Sequence, residues 1–437
     1  MTFRVPNASQ FVLTNATVAV DLIAGARLDD EHYGLSSCDI FVADGRIQAI
    51  APPGTLPFEA PRVDMAGGLA LPRFVDGHTH LDKGHILHRA PNPDGTFLGA
   101  RTTVAADREA RWTADDVRAR MDFALRCAYA HGTAAIRTHV DSLGKQTAIS
   151  WPVLAAIREE WKGRIELQAA ALCPTELAVD DEPQFRSIVA TVARHGGSIG
   201  GLTFLGDRPG EKLDRALDAM CRAADANGLG LDFHVDESAS PDALTLEPIA
   251  RAVIRNRFKG PVIAGHCCSL ALLADADRRR VIDLVGEAGI AVVSLPLVNL
   301  YLQDRDAGRT PRWRGVAPLH ELAEAGVTVL VASDNTRDPF YAYGDLDFLE
   351  VIREATRILH LDHSARSWMQ LMGPAAAAAM GFATPGRISV GGPADMVLVG
   401  ARNLWELCAR PWSDRVVLAG GVAVPRTLPD YRELDGV

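Results

Sequence analysis

Between residues 69 and 335 the chain alternates short, almost continuous apolar runs with segments of helical spacing. The runs are LALPRFVDGH, TAAIRTHVD, RIELQAAAL, SIGGLTFLG, LGLDFHVDE, GPVIAGHC, GIAVVSLPL and GVTVLVASDN. Runs that lack a strict apolar–polar alternation predict strands buried on both faces, the pattern of a parallel sheet covered by helices. The clearest intervening helix is EKLDRALDAMCRAADANG, where Leu213, Ala216, Leu217, Met220, Cys221 and Ala224 recur at steps of three and four. Eight such units over roughly 300 residues fit a (β/α)8 barrel, with a doubly wound open sheet as the alternative.

The two ends of the chain carry a different pattern. FVLTNATVAV, CDIFVADGRIQAIAPPG and RVDMAGGLALP read as short strands with turn punctuation, and Asp44-Gly45 is a hairpin signal. GRISVGGPADMVLVGA and DRVVLAGGVAVP repeat the valine-rich runs and Gly-Gly turns near the other end. The expectation is an α/β protein of two domains. Residues 1–69 plus 386–437 form a small composite β-sandwich, and residues 70–385 form the barrel.

Catalytic groups of such barrels sit at the C-terminal ends of the strands. Polar residues interrupt the runs at that end: His78 and His80 on the first, His139 and Asp141 on the second, His234 and Glu237 on the fifth, His266 on the sixth and Asp334 on the eighth. Histidines scattered through a core would not gather at one end of each strand, so the barrel is the better reading. In an extended segment alternate side chains point the same way, so His78 and His80 project together. A His-x-His alone is most often a polar loop. Joined by His234, His266 and Asp334, it becomes an N/O-rich metal site that suits zinc, iron or manganese. A divalent metal lowers the pKa of bound water to about 7. Glu237, three residues past His234, is then a candidate proton shuttle rather than an exposed loop glutamate.

Composition narrows the partners. The formal net charge is −10 with no long basic run, which disfavours nucleic acid. Seven scattered cysteines without a Cys-x-x-Cys pair argue against a disulfide framework and for a reducing compartment. MTFRVPNASQ lacks the apolar stretch of a secretory signal, and no apolar run approaches the ~18 residues that span a bilayer. The expectation is a soluble, cytoplasmic protein with a small-molecule partner, no nucleic-acid or membrane partner, and homo-oligomeric by default.

VDGHTHLD, HVDES, GHCCSL and SDN in this order resemble the amidohydrolase superfamily, specifically its cytosine-deaminase-like branch. GTAAIRTHVD, PLVNLYLQ, RWRG and DNTRDPFYAYGD resemble that branch's connecting segments, and GGPADMVLV resembles the superfamily's C-terminal β module. The resemblance covers almost the whole chain and implies a metal-dependent TIM barrel with a composite β-sandwich. It implies one divalent metal ion held by His78, His80, His234 and Asp334. Glu237 would protonate a ring nitrogen and shuttle protons to the leaving amine, His266 would orient or polarise the water, and Asp334 would accept its proton. Relatives with two metals bridge them by a carboxylated lysine from a mid-barrel strand. Neither RIELQAAAL nor SIGGLTFLG contains a lysine, so a single ion is the better reading.

Three positions depart from the cytosine deaminases. Thr175 stands where they place a glutamine, Asn335 where they place a second aspartate, and Phe340 where a tryptophan packs on the ring. Each change alters the donors, acceptors or reach offered to a ring, and an unpaired buried donor costs about 1–3 kcal/mol. The expected activity is therefore deamination of an amino-substituted nitrogen heterocycle other than cytosine, with creatinine-like and triazine-like rings as examples. Lys83 and His85 open a segment, KGHILHRAPNPDGTFLGAR, that has loop punctuation, no clear period, and the place of a lid. Lys83 and Gln303 join Thr175, Asn335 and Phe340 as candidate substrate-binding residues, with Asn299 and Arg305 as further rim candidates. His139 reads as a structural hydrogen bonder, and Cys267 and Cys268 as buried packing residues. A related enzyme that opens a cyclic amide or removes an N-alkylamine, and a non-catalytic ligand-binding scaffold, are the other readings.

Overall fold

The computed structural model describes residues 3–30, 33–57, 59–203, 209–240, 242–363 and 367–437. Eight strands form one sheet whose order follows the chain. They are β1 (Phe74–Thr79), β2 (Thr133–Asp141), β3 (Glu166–Leu172), β4 (Ser198–Leu202), β5 (Gly230–Val235), β6 (Val262–His266), β7 (Ala291–Ser294) and β8 (Val329–Val331). The sheet closes on itself just past β8, where Asp334 bridges to Thr79 in parallel and donates its backbone N–H to the His78 carbonyl at 2.8 Å. The result is a nearly closed parallel barrel of the (β/α)8 type, with helices between successive strands.

The strands lie where the apolar runs are. β2 coincides with TAAIRTHVD, and all of its residues are buried. LALPRFVDGH is not one strand: Leu69–Pro72 pairs antiparallel with Met396–Val399 in a separate sheet, and β1 begins after Arg73. Continuous apolar character cannot reveal such a change of sheet, because both halves are equally buried. Of SIGGLTFLG, residues 198–203 are described and 204–206 lie outside the described residues. The helix Glu211–Asn227 buries Leu213, Ala216, Leu217, Met220, Cys221 and Ala224, the stripe its periodicity predicts. It ends at Gly228, whose left-handed φ of +62° lets its N–H reach the last turn.

The remaining strands come from both ends of the chain. Their sheet runs Val422–Ala423, Val416–Ala419, Met396–Val399, Leu69–Pro72, Gln10–Ala19, Leu35–Ala43, Arg46–Ala51, with Arg62–Asp64 beside Gln10–Ala19. A parallel pair, Ile23–Ala24 with Ile388–Ser389, lies apart from it. Asp44 and Gly45 both take positive φ (+52° and +73°) in the turn that joins Leu35–Ala43 to Arg46–Ala51, as the sequence predicts. Leu13, Ile40, Met396, Leu398 and Leu418 are at the centre of this region's core. The chain divides into two compact units, Met1–Val75 with Arg126–Ala135 and Asp347–Pro429, and Asp76–Leu125 with Ile136–Leu346 and Asp430–Val437. Among the described residues no helix is long and apolar enough to cross a membrane.

Gly200 in β4 has no room for a side chain: a Cβ there would lie 1.6 Å from the Ala171 carbonyl oxygen of β3. Gly200→Ala should therefore force these strands apart and lower stability by about 1–3 kcal/mol or more, read as a lower urea midpoint. A wild-type midpoint would contradict the close approach of β3 and β4.

Candidate active site

The site is built where the strands end, and three of them end in unusual backbone. Asp236, His266 and Asp334 all take left-handed φ (+49°, +69° and +66°), just after β5, at the end of β6 and just after β8. A non-glycine residue there costs roughly 1–2 kcal/mol, and such outliers gather at functional sites. The turn at Asp236 is tied down by its own carboxylate, which accepts from the backbone N–H groups of Thr245 (2.9 and 3.0 Å) and Leu246 (3.1 Å). The next residue, Glu237, lies on a cavity at the strand ends.

His78, His80, His234 and Asp334 converge. His80 Nε2 is 3.2 Å from His234 Nε2 and 3.1 Å from Asp334 Oδ1, and His78 Nε2 is 3.6 Å from the same oxygen. All four are buried. Gly265 makes room, since a Cβ there would lie 2.9 Å from His78 Cε1. Burial first, and neighbouring imidazoles with it (Lys83 as well for His78 and His80), holds the three rings well below their usual pKa, so they are neutral with lone pairs to offer. Burial, and Asp338 after it, pushes the Asp334 carboxyl well above its usual range.

These residues fit a divalent ion. Neither Asp334 oxygen nor either His78 nitrogen has a hydrogen-bond partner among the described residues, and such orphans are costly unless a cation or proton meets them. A tetrahedral ion with bonds of about 2.0–2.1 Å sets its ligands about 3.3 Å apart, and the observed separations of 3.1–3.6 Å bracket that spacing. Neither β3 nor β4 carries a lysine, in keeping with one ion. His139 packs at 4.0 Å between ring centroids from His78 and also lies among these groups. Its Nε2 is 3.1 Å from Asp232, whose other oxygen accepts from Arg137 at 3.1 Å. That bond supports the structural reading of His139.

A cavity of about 230 Å³ opens above the cluster. Its lining includes His80, His234, Glu237 and His266 as well as Lys83, Asn335 and the rings of Phe97 and Phe340, which meet edge to face at 5.4 Å. Lys83 is buried rather than solvent-exposed. It pairs with Asp141 at 3.2 Å, and Arg108 holds the other oxygen of Asp141 at 2.7 Å. Burial raises the Asp141 carboxyl, but Lys83 and Arg108 outweigh it and leave the group below its usual pKa. Burial, with Asp334 adding to it, pushes Glu237 well above the usual carboxylate range. Asn335 donates to Asp338 at 2.6 Å, which aims the turn bearing Phe340.

Thr175 and Gln303 are buried but are not among the residues that line this cavity. Cys173 and Pro174, just before Thr175, are, so the segment reaches the site through other atoms than expected. Arg305 lies over Tyr301, 4.4 Å from its ring centroid. Asn299 is wholly buried and contacts His266 and Glu237 instead of the rim. The segment expected to be a loop from Lys83 to Arg101 turns into a helix, Phe97–Arg111, capped by Thr96. Phe97, Arg101, Val104, Ala105 and Arg108 of that helix line the cavity. Their steps of three and four were a signal present in the sequence, obscured by the Pro, Asn, Asp and Gly before it. Cys267 and Cys268 are buried, as expected of packing residues.

Chelation should lower the thermal midpoint of the purified protein by several degrees, since a bound ion stabilises only the folded state. In His234→Ala the protein should hold far less than one ion by elemental analysis, and chelation should leave its midpoint in place. Full metal content in that variant would remove His234 from the site.

The sequence profile described as "Amidohydrolase family" matches residues 175–405. The chain is 54% identical to pterin deaminase from Rhizobium rhizogenes over 432 residues, covering 99% of this chain and 98% of that protein. It is 25% identical to N-isopropylammelide isopropyl amidohydrolase from a Pseudomonas species over 305 residues, 68% of this chain and 71% of that one. Among solved structures, 5-methylcytosine deaminase from Klebsiella pneumoniae liganded with phosphonocytosine superposes with a TM-score of 0.78 at 24% identity, covering 94% of this chain and 97% of that one, a likeness of fold. Profile, near full-length identity and architecture agree, and the chain belongs to the amidohydrolase family.

Proposed function

We propose that this protein is a metal-dependent aminohydrolase that releases ammonia from a fused amino-oxo nitrogen heterocycle of the pterin class. The observation that carries the reading is the buried cluster of His78, His80, His234 and Asp334 opening onto a cavity that holds Glu237. The 54% identity to a pterin deaminase over nearly the whole chain supports the choice of ring. His78, His80, His234 and Asp334 would hold one divalent ion, zinc or iron before manganese, from the softness of three imidazoles. When bound, the ion supplies Lewis acidity that makes a water acidic enough to serve as nucleophile at neutral pH.

Deamination adds the oxygen of water to the ring carbon that bears the amino group, breaks that C–N bond, and leaves a carbonyl and ammonia. Two protons must move from water to nitrogen. Glu237 carries them: its carboxyl, held above the usual carboxylate range by burial, accepts a proton and gives it up, first to a ring nitrogen and then to the leaving amine. Asp334 is the second acceptor beside the water. Phe97 and Phe340, which both line the cavity, offer aromatic surface on which a planar bicycle can pack. Lys83, kept charged by Asp141, donates to the ring carbonyl, and Asn335 contributes a polar group next to it. The apolar residues Leu143, Leu172 and Leu202 exclude water around the ring.

Purified, metal-loaded protein should be offered pterin, guanine, cytosine, creatinine and N-alkylated triazines, with ammonia and alkylamine assayed separately. Ammonia from pterin with the bicycle intact, and little or none from cytosine, is the expected result. Alkylamine without ammonia, or cytosine turned over best, would overturn the reading. Glu237→Gln should keep its metal and lose about 10²–10⁴-fold in kcat. A near-normal rate would remove Glu237 from proton transfer.

A further inference from the structure

The short helix Pro296–Leu302 follows β7 and places Asn299 beneath the site, fully buried. Its Nδ2 lies 3.0 Å from His266 Nδ1 and 3.4 Å from Glu237 Oε1. One amide nitrogen carries two hydrogens, so it serves both neighbours at once. A carboxyl oxygen that carries no proton can only accept, so the nitrogen and not the oxygen of the amide faces Glu237 Oε1. The same nitrogen then faces His266. Turning the amide over would set its oxygen against the carboxylate. It would also strand two N–H donors, in place of the one carbonyl oxygen that now lacks a partner among the described residues.

The consequence falls on His266. Its imidazole is buried, and Nδ1, which receives the Asn299 amide hydrogen, carries none of its own. A neutral ring that accepts at Nδ1 carries its single hydrogen on Nε2. Nε2 has no hydrogen-bond partner among the described residues, and the ring lines the cavity 5.1 Å, centroid to centroid, from His234. We infer, resting on the aminohydrolase reading above, that Asn299 is a positioning residue that fixes the tautomer of His266. His266 then offers Nε2–H to the attacking oxygen as a hydrogen-bond donor and takes no proton from it. Proton transfer is left to the carboxylates Glu237 and Asp334. The same amide also donates to Glu237 Oε1.

The inference is tested on zinc-loaded protein labelled with ¹⁵N-histidine, zinc being diamagnetic. Long-range ¹H–¹⁵N correlation reports which nitrogen of each ring is protonated, and the His266 signals are those lost in His266→Gln. Nδ1 unprotonated and Nε2 protonated is the expected result. In Asn299→Asp an acceptor replaces the donor, the hydrogen should move to Nδ1, and kcat on the best substrate should fall about 10²–10³-fold with KM nearly unchanged. A protonated Nδ1 in the wild type, an unchanged tautomer in Asn299→Asp, or a loss confined to KM would each overturn it. If His266→Gln fails to fold, neutron diffraction from the zinc-loaded wild type locates the same hydrogen directly. Neither measurement of the tautomer needs a substrate. Failure to release ammonia would therefore defeat the functional reading and leave the tautomer result standing.

Discussion

Asp334 lies where the last barrel strand meets the first, with its backbone N–H on the His78 carbonyl and its carboxylate facing the rings of His78 and His80. Its two oxygens are buried and unmatched by any hydrogen-bond donor among the described residues. Leaving a carboxylate in that state costs several kcal/mol unless a cation or a proton neutralises it. Closing the barrel thus also sets a buried carboxyl beside the imidazoles. The three neutral imidazoles, themselves too deeply buried to protonate, would complete a set of ligands for a cation there.

Around this centre the polar groups that could have relaxed are held. Asp232 holds His139 and Arg137, and Arg137 donates to Gln168 at 2.7 Å, so the layer below the histidines is hydrogen-bonded in both directions. Asp82 accepts the Asp141 N–H at 2.8 Å, and its backbone carbonyl receives the guanidinium of Arg120, itself bound to Asp116 at 2.6 Å. Lys83 therefore projects from a segment anchored on both sides. Breaking one partner of such a buried pair costs about 3–5 kcal/mol, far more than the pair itself contributes to stability. The network serves position more than stability.

Much of this was legible in the sequence, and what was not has physical causes. Strand ends were marked because a histidine or carboxylate inside an apolar run stands out; that signal marked His78, His80, His139, Asp141, His234, Glu237, His266 and Asp334 alike, and the family resemblance assigned their roles. The break at Arg73 was hidden because two sheets can share one apolar run. Phe97–Arg111 was masked by the loop chemistry that precedes it, and with it Arg108, whose partner Asp141 is far along the chain. Asn299 was read as a rim residue because nothing in PLVNLYLQ says that a helix begins at Pro296 and turns the side chain inward. The left-handed turns at Asp236, His266 and Asp334 carry no glycine to betray them, since tertiary contacts hold them there. Thr175 was chosen by position in a motif, and position does not give direction.

The central claim is that one ion is held by three imidazoles and Asp334 at the seam of the barrel. Diffraction from zinc-loaded crystals, recorded on both sides of the zinc absorption edge, tests it without reference to any substrate. The account predicts one strong anomalous peak per chain, about 2.0–2.2 Å from His78, His80, His234 and Asp334. No peak there, or a second peak about 3.5–4 Å away that shares those ligands, would contradict it.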